Sequence, residues 1–401
     1  MAEIAILGFG VVGSGTIEVL EKNSATVAEN AGQNVRVKYI LDVRSFPDSP
    51  YKHLFVDNFE TIVSDPDVSV VAEVIGGVGP ALEYTRRCLE AGKSVITSNK
   101  ELVATHGYQL LKLAREKGVN YLFEASVGGG IPIMRPLAQC MAANQISEIF
   151  GILNGTTNYI LTEMEKNGAE FEDALKEAQL KGYAEADPTA DVEGHDACRK
   201  ICILASLAFG KHVYPDAVST EGIRSVTKDD KMYAAELGYG IKLLGRARVV
   251  GNKLYAYVAP HLISKDQLLA GVEGVMNGVV VRGNAVGDVI FCGAGAGKLP
   301  TASAVVADVI DAVKHLYARK WVSWDDGTVD LVSDSVQLET AWYIRTDAKK
   351  EDIEREFGEV VFAGENNGIT AFKTGVLSGE KINDILKRSI KPLSIFRVLG
   401  E

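Results

Sequence analysis

The sequence lacks several features that would define other classes of protein. No apolar run approaches the roughly 20 residues of a membrane-spanning helix, and the longest run, 201–209, is interrupted by Ser206. The five cysteines are odd in number and form no CxxC pair, which favours reduced thiols over a disulfide framework or a zinc site. Basic residues (42) are outnumbered by acidic ones (53), so the net charge is −11 and general nucleic-acid binding is not expected. No basic region precedes the first apolar segment; we therefore expect no signal peptide and a cytoplasmic location.

A chain of 401 residues corresponds to about two or three domains. The first third alternates short apolar runs with helical patterns, which predicts an α/β fold with a doubly wound parallel sheet of the Rossmann type. Strands are expected at 3–7, 35–41, 68–75, 94–97 and 119–124, and helices at 12–23, 81–91 and 102–117.

The pattern changes to α+β after about residue 135. Strands are expected at 146–153, 254–260 and 278–290, with Asn284 in a turn, and helices at 159–167, 171–181 and 196–209. The end of the chain predicts strand 341–346, helix 350–357, strand 368–374, helix 380–388 and strand 394–399. We predict a dinucleotide-binding domain at 1–135, a catalytic and dimerisation domain at 136–300 and a small C-terminal domain at 332–401. Helix 301–318 is expected to pack back on the first domain.

A glycine motif follows the first strand and opens a helix. The run Gly8-Phe9-Gly10-Val11-Val12-Gly13 fits GxGxxG, and its place between strand and helix is what makes the match meaningful. The helix N-terminus would supply amide donors to a pyrophosphate. This motif predicts binding of a nicotinamide dinucleotide.

The second strand ends in both an acid and a base. Asp42 could hold a ribose 2′-hydroxyl or cap a turn, whereas Arg44 could take a 2′-phosphate or lie in solvent as a surface cation. We favour the phosphorylated cofactor, NADP(H), with NAD(H) as the alternative.

Residues 181–200 combine five acids with a histidine, an arginine and two lysines, just before the apolar run 201–209. Asp196 and Lys200 are four residues apart and share one helix face, which in most helices means an exposed ion pair of little consequence. Here the following turns are apolar all round, so these charges are expected to be partly desolvated and functional. His195, Cys198 and Cys202 are interpreted as a turn residue and two core thiols, not as metal ligands.

Two further segments have both an ordinary and a functional interpretation. The run 154–159, Asn-Gly-Thr-Thr-Asn-Tyr, could be a turn with Thr157 or Asn158 as helix cap, or a loop that binds a carboxylate. Lys100 follows a strand end, where ligands of doubly wound sheets bind, but it could equally be a solvated loop cation.

Several separated motifs resemble those of the homoserine dehydrogenase family. They are the loop at 8–15, the strand end at 95–102, the segments 151–160 and 182–200, and the stretch 293–304, in order over about residues 3–320. The resemblance implies reversible, NAD(P)-dependent interconversion of L-homoserine and L-aspartate 4-semialdehyde in threonine and methionine biosynthesis. It implies hydride transfer assisted by a lysine proton donor, in a homodimer or homotetramer with no nucleic-acid or membrane partner.

The resemblance also assigns roles by position. Lys200, Lys100 and Asp196 would be catalytic; Glu185, Asp191, Thr156 and Asp196 would bind substrate; Gly8, Phe9, Gly10, Val11, Val12, Gly13, Arg44, Ser98, Lys100 and Gly295 would bind the cofactor. Oxygen atoms of Glu124, Val127, Gly129 and Ile131, mostly carbonyls, would hold a monovalent cation such as Na⁺. The family more often has alanine where this chain has Gly129, which we expect to be a small departure.

The C-terminal segment departs further from the resemblance. Many bacterial members end in an ACT regulatory domain with an Asp-x-Pro-Gly loop, but residues 346–351 read Thr-Asp-Ala-Lys-Lys-Glu and contain no glycine. We expect an ACT-like domain that pairs its sheet with another subunit, with weak or no inhibition by threonine. A divergent regulatory role stays open.

Two other functions are less consistent with the sequence. A phosphorylating semialdehyde dehydrogenase needs a nucleophilic cysteine at a strand–helix junction, whereas Cys88, Cys198 and Cys202 fall within helical patterns. A sensor of NADP(H) would not need the proton donor that the 185–200 segment offers.

Overall fold

The computed structural model describes residues 1–318, 322–328 and 330–400. The chain divides into two compact units. The first comprises Met1–Gln145, Cys202–Pro215 and Gly293–Gly327. The second comprises Ile146–Ile201, Asp216–Cys292 and Thr328–Glu401.

The first unit is built on a parallel sheet. Its strands are β1 (Ala2–Leu7), β2 (Val35–Leu41), β3 (Phe55–Val56), β4 (Val68–Glu73), β5 (Ser94–Thr97) and β6 (Tyr121–Leu122), in the order β3-β2-β1-β4-β5-β6. The order reverses between β1 and β4, as in Rossmann folds, and ligands of such sheets bind at the carboxyl ends of the strands beside that point. The predicted parallel sheet is confirmed.

Six helices of the first unit are α1 (Val11–Lys22), α2 (Ser24–Ala31), α3 (Phe59–Val63), α4 (Gly79–Glu90), α5 (Lys100–Lys117) and α11 (Lys298–Lys314). Elements β3, α2 and α3 were not predicted, because they are short and carry little apolar periodicity. Helix α11 packs against α1, where Gly15 admits the backbone: a Cβ there would lie 2.8 Å from the Lys298 carbonyl oxygen.

The second unit contains a mixed sheet with helices beside it. Its first strands are β7 (Ile146–Ile152), β8 (Ser219–Thr220), β9 (Tyr239–Val250), β10 (Lys253–Ser264), β11 (Met276–Gly283) and β12 (Gly287–Ala294). Its helices up to this point are α6 (Gly155–Asn167), α7 (Phe171–Leu180), α8 (Thr189–Val192), α9 (His195–Phe209), which continues into the first unit, and α10 (Lys228–Glu236). Asn284 lies between β11 and β12, as predicted. Strand β9 and helix α10 were not predicted; β9 pairs with β10 antiparallel along its whole length, from Tyr239 opposite Ser264 to Val250 opposite Lys253.

The C-terminal segment continues the same sheet. It contains β13 (Val332–Ser333), β14 (Glu339–Thr340), β15 (Trp342–Thr346), α12 (Lys350–Phe357), β16 (Val360–Asn366), β17 (Ile369–Thr374), β18 (Leu377–Ser378), α13 (Gly379–Arg388) and β19 (Pro392–Val398). The main order is β12-β11-β7-β9-β10-β19-β15-β17-β16. The five predicted elements are present as β15, α12, β17, α13 and β19, but the prediction omitted β16. This strand forms a hairpin with β17 through Asn367-Gly368, both at positive φ, a typical two-residue hairpin turn.

None of the described helices is both long and apolar enough to span a membrane.

Candidate active site

The dinucleotide loop is closed so tightly that only glycine fits at two positions. Gly8 has φ +101°, and a Cβ on Gly13 would lie 2.0 Å from the Gly8 carbonyl oxygen. Helix α1 begins at Val11 without a side-chain cap at Gly10, so the amides of its first turn are not satisfied by a capping side chain. This geometry fits a pyrophosphate at the helix N-terminus.

The acid and base after β2 are bound to each other. Asp42 Oδ2 accepts hydrogen bonds from the Phe9 amide (2.6 Å) and Arg44 Nη2 (2.9 Å), while Oδ1 accepts from the Arg44 amide (2.9 Å) and Nε (3.0 Å). The Arg44 guanidinium holds the pKa of Asp42 down at about 2, against the opposing effect of burial. The four acceptor positions of Asp42 are therefore in use, whereas the Arg44 side chain is 59% exposed.

A cleft of about 250 Å³ lies beside this pair, and its lining includes Arg44, Ser45 and Lys52. Ser45 and Lys52 were not predicted from the sequence, since neither lies in a motif. Phe9, predicted at the cofactor site, packs edge-on against Phe46, which is also in this cleft.

Lys100 is the first residue of α5, and the structure explains its position. Asn99 caps the helix by accepting a hydrogen bond from the Leu102 amide (3.1 Å), and Ser98 precedes the cap at the carboxyl end of β5. Lys100 and Ser98 are half-buried. Both therefore lie at the edge of the sheet where a doubly wound fold binds its ligand.

The segment predicted to hold a cation is organised around Glu124. Its carboxylate accepts hydrogen bonds from the amides of Ile133 (2.6 Å), Met134 (2.7 Å) and Arg135 (3.1 Å). Two of these bonds end on Oε1 and one on Oε2. A carboxylate has about four acceptor positions, so Oε2 retains capacity for a cation.

The carbonyl oxygens of this segment fit the same interpretation. None of the backbone hydrogen bonds found among the described residues ends on the carbonyl of Val127, Gly129 or Ile131. Gly129 has φ +55°, and a Cβ there would lie 2.5 Å from the carbonyl oxygen of Gly295, another predicted site residue. An alanine at 129 would therefore be strained in this backbone and would crowd Gly295.

In the second unit, Asn154 organises the polar cluster that precedes α9. Its Oδ1 caps α6 by accepting a hydrogen bond from the Thr157 amide (2.8 Å). The helix cap is therefore Asn154, and not Thr157 or Asn158, which the sequence had offered as caps. Its Nδ2 donates to Asp191 Oδ1 (2.7 Å) and to Asp196 Oδ2 (2.9 Å). One amide thus joins two carboxylates that are predicted to bind substrate.

Lys200 completes this cluster. Its Nζ donates to Asp196 Oδ2 (2.6 Å) and to the Leu153 carbonyl (2.7 Å). The Lys200 and Asp196 side chains are only 10% and 5% exposed, so the pair is desolvated and the ordinary surface interpretation is excluded. The arrangement fixes an ammonium group against the Asp196 carboxylate, which Asn154 connects to Asp191.

The other predicted substrate residues lie nearby in the chain but are not joined to this cluster. Thr156 donates from Oγ1 to the Tyr183 carbonyl (2.6 Å), on the loop that carries Glu185. The Glu185 side chain is exposed, and no ion pair of the described chain includes it. Gln179 holds the backbone of this residue through its carbonyl (3.0 Å).

His195 is exposed, while Cys198 and Cys202 are buried. Within the described ranges, no group of three or more His, Cys, Asp or Glu residues is placed to bind a metal ion.

A glycine loop at the reversal point of a parallel sheet is the usual site for a nicotinamide dinucleotide, and a fixed ammonium group is a suitable proton source for carbonyl reduction. Together they define an NAD(P)-dependent oxidoreductase.

Comparison with known proteins identifies the family. Residues 8–124 match the family described as homoserine dehydrogenase, NAD binding domain, and residues 132–310 match the family described as homoserine dehydrogenase. Homoserine dehydrogenase of Pseudomonas aeruginosa is 45% identical over 356 residues, 86% of this chain and 82% of the relative. The Bacillus subtilis enzyme is 41% identical over 317 residues, 78% and 73% of the two chains. The chain belongs to the homoserine dehydrogenase family and is an oxidoreductase of amino-acid biosynthesis.

Solved structures agree. A homoserine dehydrogenase from Thiobacillus denitrificans superposes with a TM-score of 0.89 at 38% identity, covering 99% of this chain and 98% of that one. A mutant hyperthermophilic archaeal homoserine dehydrogenase in complex with NADPH has a TM-score of 0.65 at 29% identity, covering 78% and 97%.

Proposed function

We propose that this chain interconverts L-homoserine and L-aspartate 4-semialdehyde with NADP(H), and that Lys200 transfers the proton. The observation that carries this proposal is the cluster of the buried Lys200, Asp196 and Asn154 with the half-buried Asp191. A carboxylate and a carbonyl oxygen both accept from this ammonium group and hold it in one position.

The residues have separate tasks in this mechanism. Asp191 and the exposed Glu185 attract the ammonium group of the substrate by opposite charge. Asp196 orients Lys200, whose ammonium stabilises the negative charge that develops on the carbonyl oxygen and protonates it. When bound, the nicotinamide cofactor supplies or accepts the hydride. Lys100, at the sheet edge, is proposed as a second active-site lysine.

The preference for NADP(H) is supported by the state of Asp42. Because Arg44 and the Phe9 amide already occupy its acceptor positions, Asp42 is poorly suited to hold ribose hydroxyls. Arg44 and Lys52 offer two cations in one cleft, which suits a 2′-phosphate.

We also propose that Glu124, Val127, Gly129 and Ile131 hold a monovalent cation, because their oxygen atoms are hard donors with unused capacity.

The C-terminal residues 332–401 are proposed to form an ACT-like domain, since β15-α12-β16-β17-α13-β19 is the βαββαβ order of ferredoxin-like units. We further propose a dinucleotide-binding domain at 1–135, a catalytic and dimerisation domain at 136–300, and assembly into a homodimer or homotetramer.

The test is a spectrophotometric assay of NADPH formation with L-homoserine, and of NADPH loss with aspartate semialdehyde. L-Serine, one carbon shorter, should support little turnover. Absence of turnover in a protein that still binds NADPH would favour the sensor function instead.

The role of Lys200 is tested by Lys200→Ala, for which we expect kcat to fall about 100-fold or more while NADPH binding persists. Lys181→Ala is the matched control, because Lys181 is an exposed lysine of the same segment that pairs with Glu177. Near-normal turnover of folded Lys200→Ala would remove Lys200 as the proton donor.

A further inference from the structure

A fully buried acid ends strand β4 in the first unit. Glu73 is 0% exposed and lies on the strand next to β1, at the point where the strand order reverses. Among the described residues no lysine, arginine or histidine forms an ion pair with it. Its oxygens instead accept from Thr97 Oγ1 (2.6 Å) and from the Ile75 amide (2.8 Å). Burial raises the pKa of Glu73, and these hydrogen bonds oppose that rise.

The hydrogen bonds of Glu73 lead to the start of helix α5. Thr97 Oγ1, which donates to Glu73, accepts from the Asn99 amide (2.9 Å). Asn99 in turn caps α5 at the Leu102 amide, and its Nδ2 donates to the Gly77 carbonyl (2.5 Å). Lys100 is the next residue, so the position of its backbone is set by this cap.

The same network also holds the turn that follows β4. Gly76 and Gly77 have φ of +88° and +68°, and a Cβ on either would meet no atom within 4 Å, so the turn faces open space. The turn begins at Val74, whose amide donates to the Leu7 carbonyl (2.9 Å) and whose carbonyl oxygen would lie 2.9 Å from a Cβ on Gly8. Glu73 therefore connects the ends of three neighbouring strands: β1 with the dinucleotide loop, β4 with the glycine turn, and β5 with Lys100.

We propose that Glu73 is a positioning residue for hydride transfer. Through Thr97 and Asn99 it fixes the Gly76–Gly77 turn and the N-terminus of α5 in the arrangement that places Lys100 against the reactive end of the cofactor. This inference rests on the proposed role of Lys100.

The chemistry of a carboxyl group suits this task better than that of an amide. An ionised carboxyl group only accepts hydrogen bonds, and it accepts here from the Ile75 amide and the Thr97 hydroxyl. In Glu73→Gln, the side-chain oxygen can still accept from the Ile75 amide, but the NH₂ group would force the Thr97 hydroxyl to turn and accept, which reverses that bond although the volume is unchanged. Burying an acid without a cation is costly for folding, so its retention at this edge favours a functional role over a stabilising one.

The experiment compares the full-length wild type with Glu73→Gln, Thr97→Val and Thr97→Ser. We expect Glu73→Gln and Thr97→Val each to lower kcat roughly 10- to 100-fold, because small displacements of a reacting group cost that much, with the KM for homoserine changed little. Thr97→Ser keeps the hydroxyl and should retain most of the wild-type kcat. The double variant should lose far less than the product of the two single losses, since both break one chain of contacts.

Glu3→Gln is the matched control. Glu3 is also a buried acid, but it lies on β1 near the amino ends of the strands, where it pairs with Arg36 and Lys38. We expect its replacement to lower the melting temperature without changing kcat.

Two results would overturn the inference. The first is an unchanged kcat in folded Glu73→Gln. The second is a lowered melting temperature in both Glu73→Gln and Glu3→Gln, with the same effect on kcat in the two variants. Lys100→Ala is assayed in parallel. If kcat falls in Lys100→Ala but not in Glu73→Gln, only the role of Glu73 is disproved. If the wild type is active and Lys100→Ala keeps the wild-type kcat, the proposed role of Lys100 is disproved together with that of Glu73.

Discussion

At the scale of single residues, the Asn154 side-chain amide and the Asp196 carboxylate make the main contacts of the proposed substrate site. Asp196 accepts from both Lys200 and Asn154, and the same Asn154 amide reaches Asp191. A buried ion pair of this kind gives little net stability, but it fixes the lysine in one position. The arrangement therefore supports the proposed proton transfer more than it adds to stability.

Arg44 gives the residue-scale prediction for the cofactor. Arg44→Ala should weaken NADPH binding roughly tenfold or more and NADH binding much less, because only NADPH carries the 2′-phosphate. Dissociation constants for both cofactors, from fluorescence titration, measure this. Arg36→Ala is the control, since Arg36 is an exposed arginine at the other end of β2. Equal weakening of both cofactors would contradict the phosphate role and direct attention back to Asp42.

At the scale of elements, the termini of helices carry the site. Helix α6 begins at the Asn154 cap, α5 begins at Lys100 after the Asn99 cap, and α9 carries Asp196 and Lys200 in its first two turns. Each cap fixes the backbone conformation of the loop before it, which places polar groups more precisely than a free loop would.

Asn154→Ser separates the cap from the carboxylate bridge. Serine caps helices about as well as asparagine, so the melting temperature should change little, whereas the loss of Nδ2 removes the bridge between Asp191 and Asp196 and should raise the KM for homoserine about tenfold. Steady-state kinetics and thermal unfolding give the two readouts. Asn58→Ser makes the same change at the cap of α3 and should leave kinetics unaltered. Unchanged KM in Asn154→Ser would show that the bridge does not order the substrate site.

The loop at 124–131 yields a second element-scale prediction. Gly129→Ala should lower the melting temperature by several degrees and abolish any activation by Na⁺, because the methyl group would clash with the backbone of Gly295. Gly118→Ala is the matched control: Gly118 has φ +68° and no atom within 4 Å of a Cβ, so it measures the cost of positive φ alone. Equal destabilisation in the two variants would disprove the close contact with Gly295.

At the scale of the whole molecule, the C-terminal segment belongs to the sheet of its own chain. Strand β19 pairs in parallel with β10, with His261 opposite Arg397 and Leu262 opposite Val398. The buried Asp230 on α10 accepts from Arg345 Nε (2.7 Å) and also from Ser394. Strand β16 lies at the outer edge of this sheet, and our expectation that the segment pairs its sheet with another subunit stays a prediction.

Deletion of residues 332–401 should therefore destabilise the protein. It would expose one side of β10 and remove Tyr343, Arg345 and Ser394, which all bond to Asp230, and the loss of a buried ion pair typically costs about 3–5 kcal/mol. Denaturant unfolding of the truncated and full-length chains measures the difference. A truncated chain as stable as the full one would show that the segment is an independent appendage.

Threonine at millimolar concentration should inhibit the full chain weakly or not at all. The loop after β15 has no glycine, and its Ala348 amide donates to Thr346 Oγ1 (3.2 Å), so this backbone donor is already in use. Calorimetry with threonine, and with NADPH as the positive control, tests this expectation. Tight threonine binding that parallels inhibition would establish a divergent regulatory site.

The sequence alone determined the parallel sheet, the dinucleotide loop, the family and the pairing of Asp196 with Lys200. All of these depend on local patterns: strand–helix alternation, glycine spacing and a four-residue separation on one helix. Short elements without periodicity, such as β3 and α3, escaped it for the same reason.

Only the tertiary structure decided which distant polar groups converge. Asn154 and Asp191 are 37 residues apart and Glu73 and Thr97 are 24 apart, and no local spacing predicts that either pair is hydrogen-bonded. The close approach of Gly295 to Gly129 likewise depends on how α11 closes on the first unit. Burial makes these hydrogen bonds stronger than exposed ones would be. No segment determines it alone, because the burial of a side chain depends on what the rest of the fold places around it.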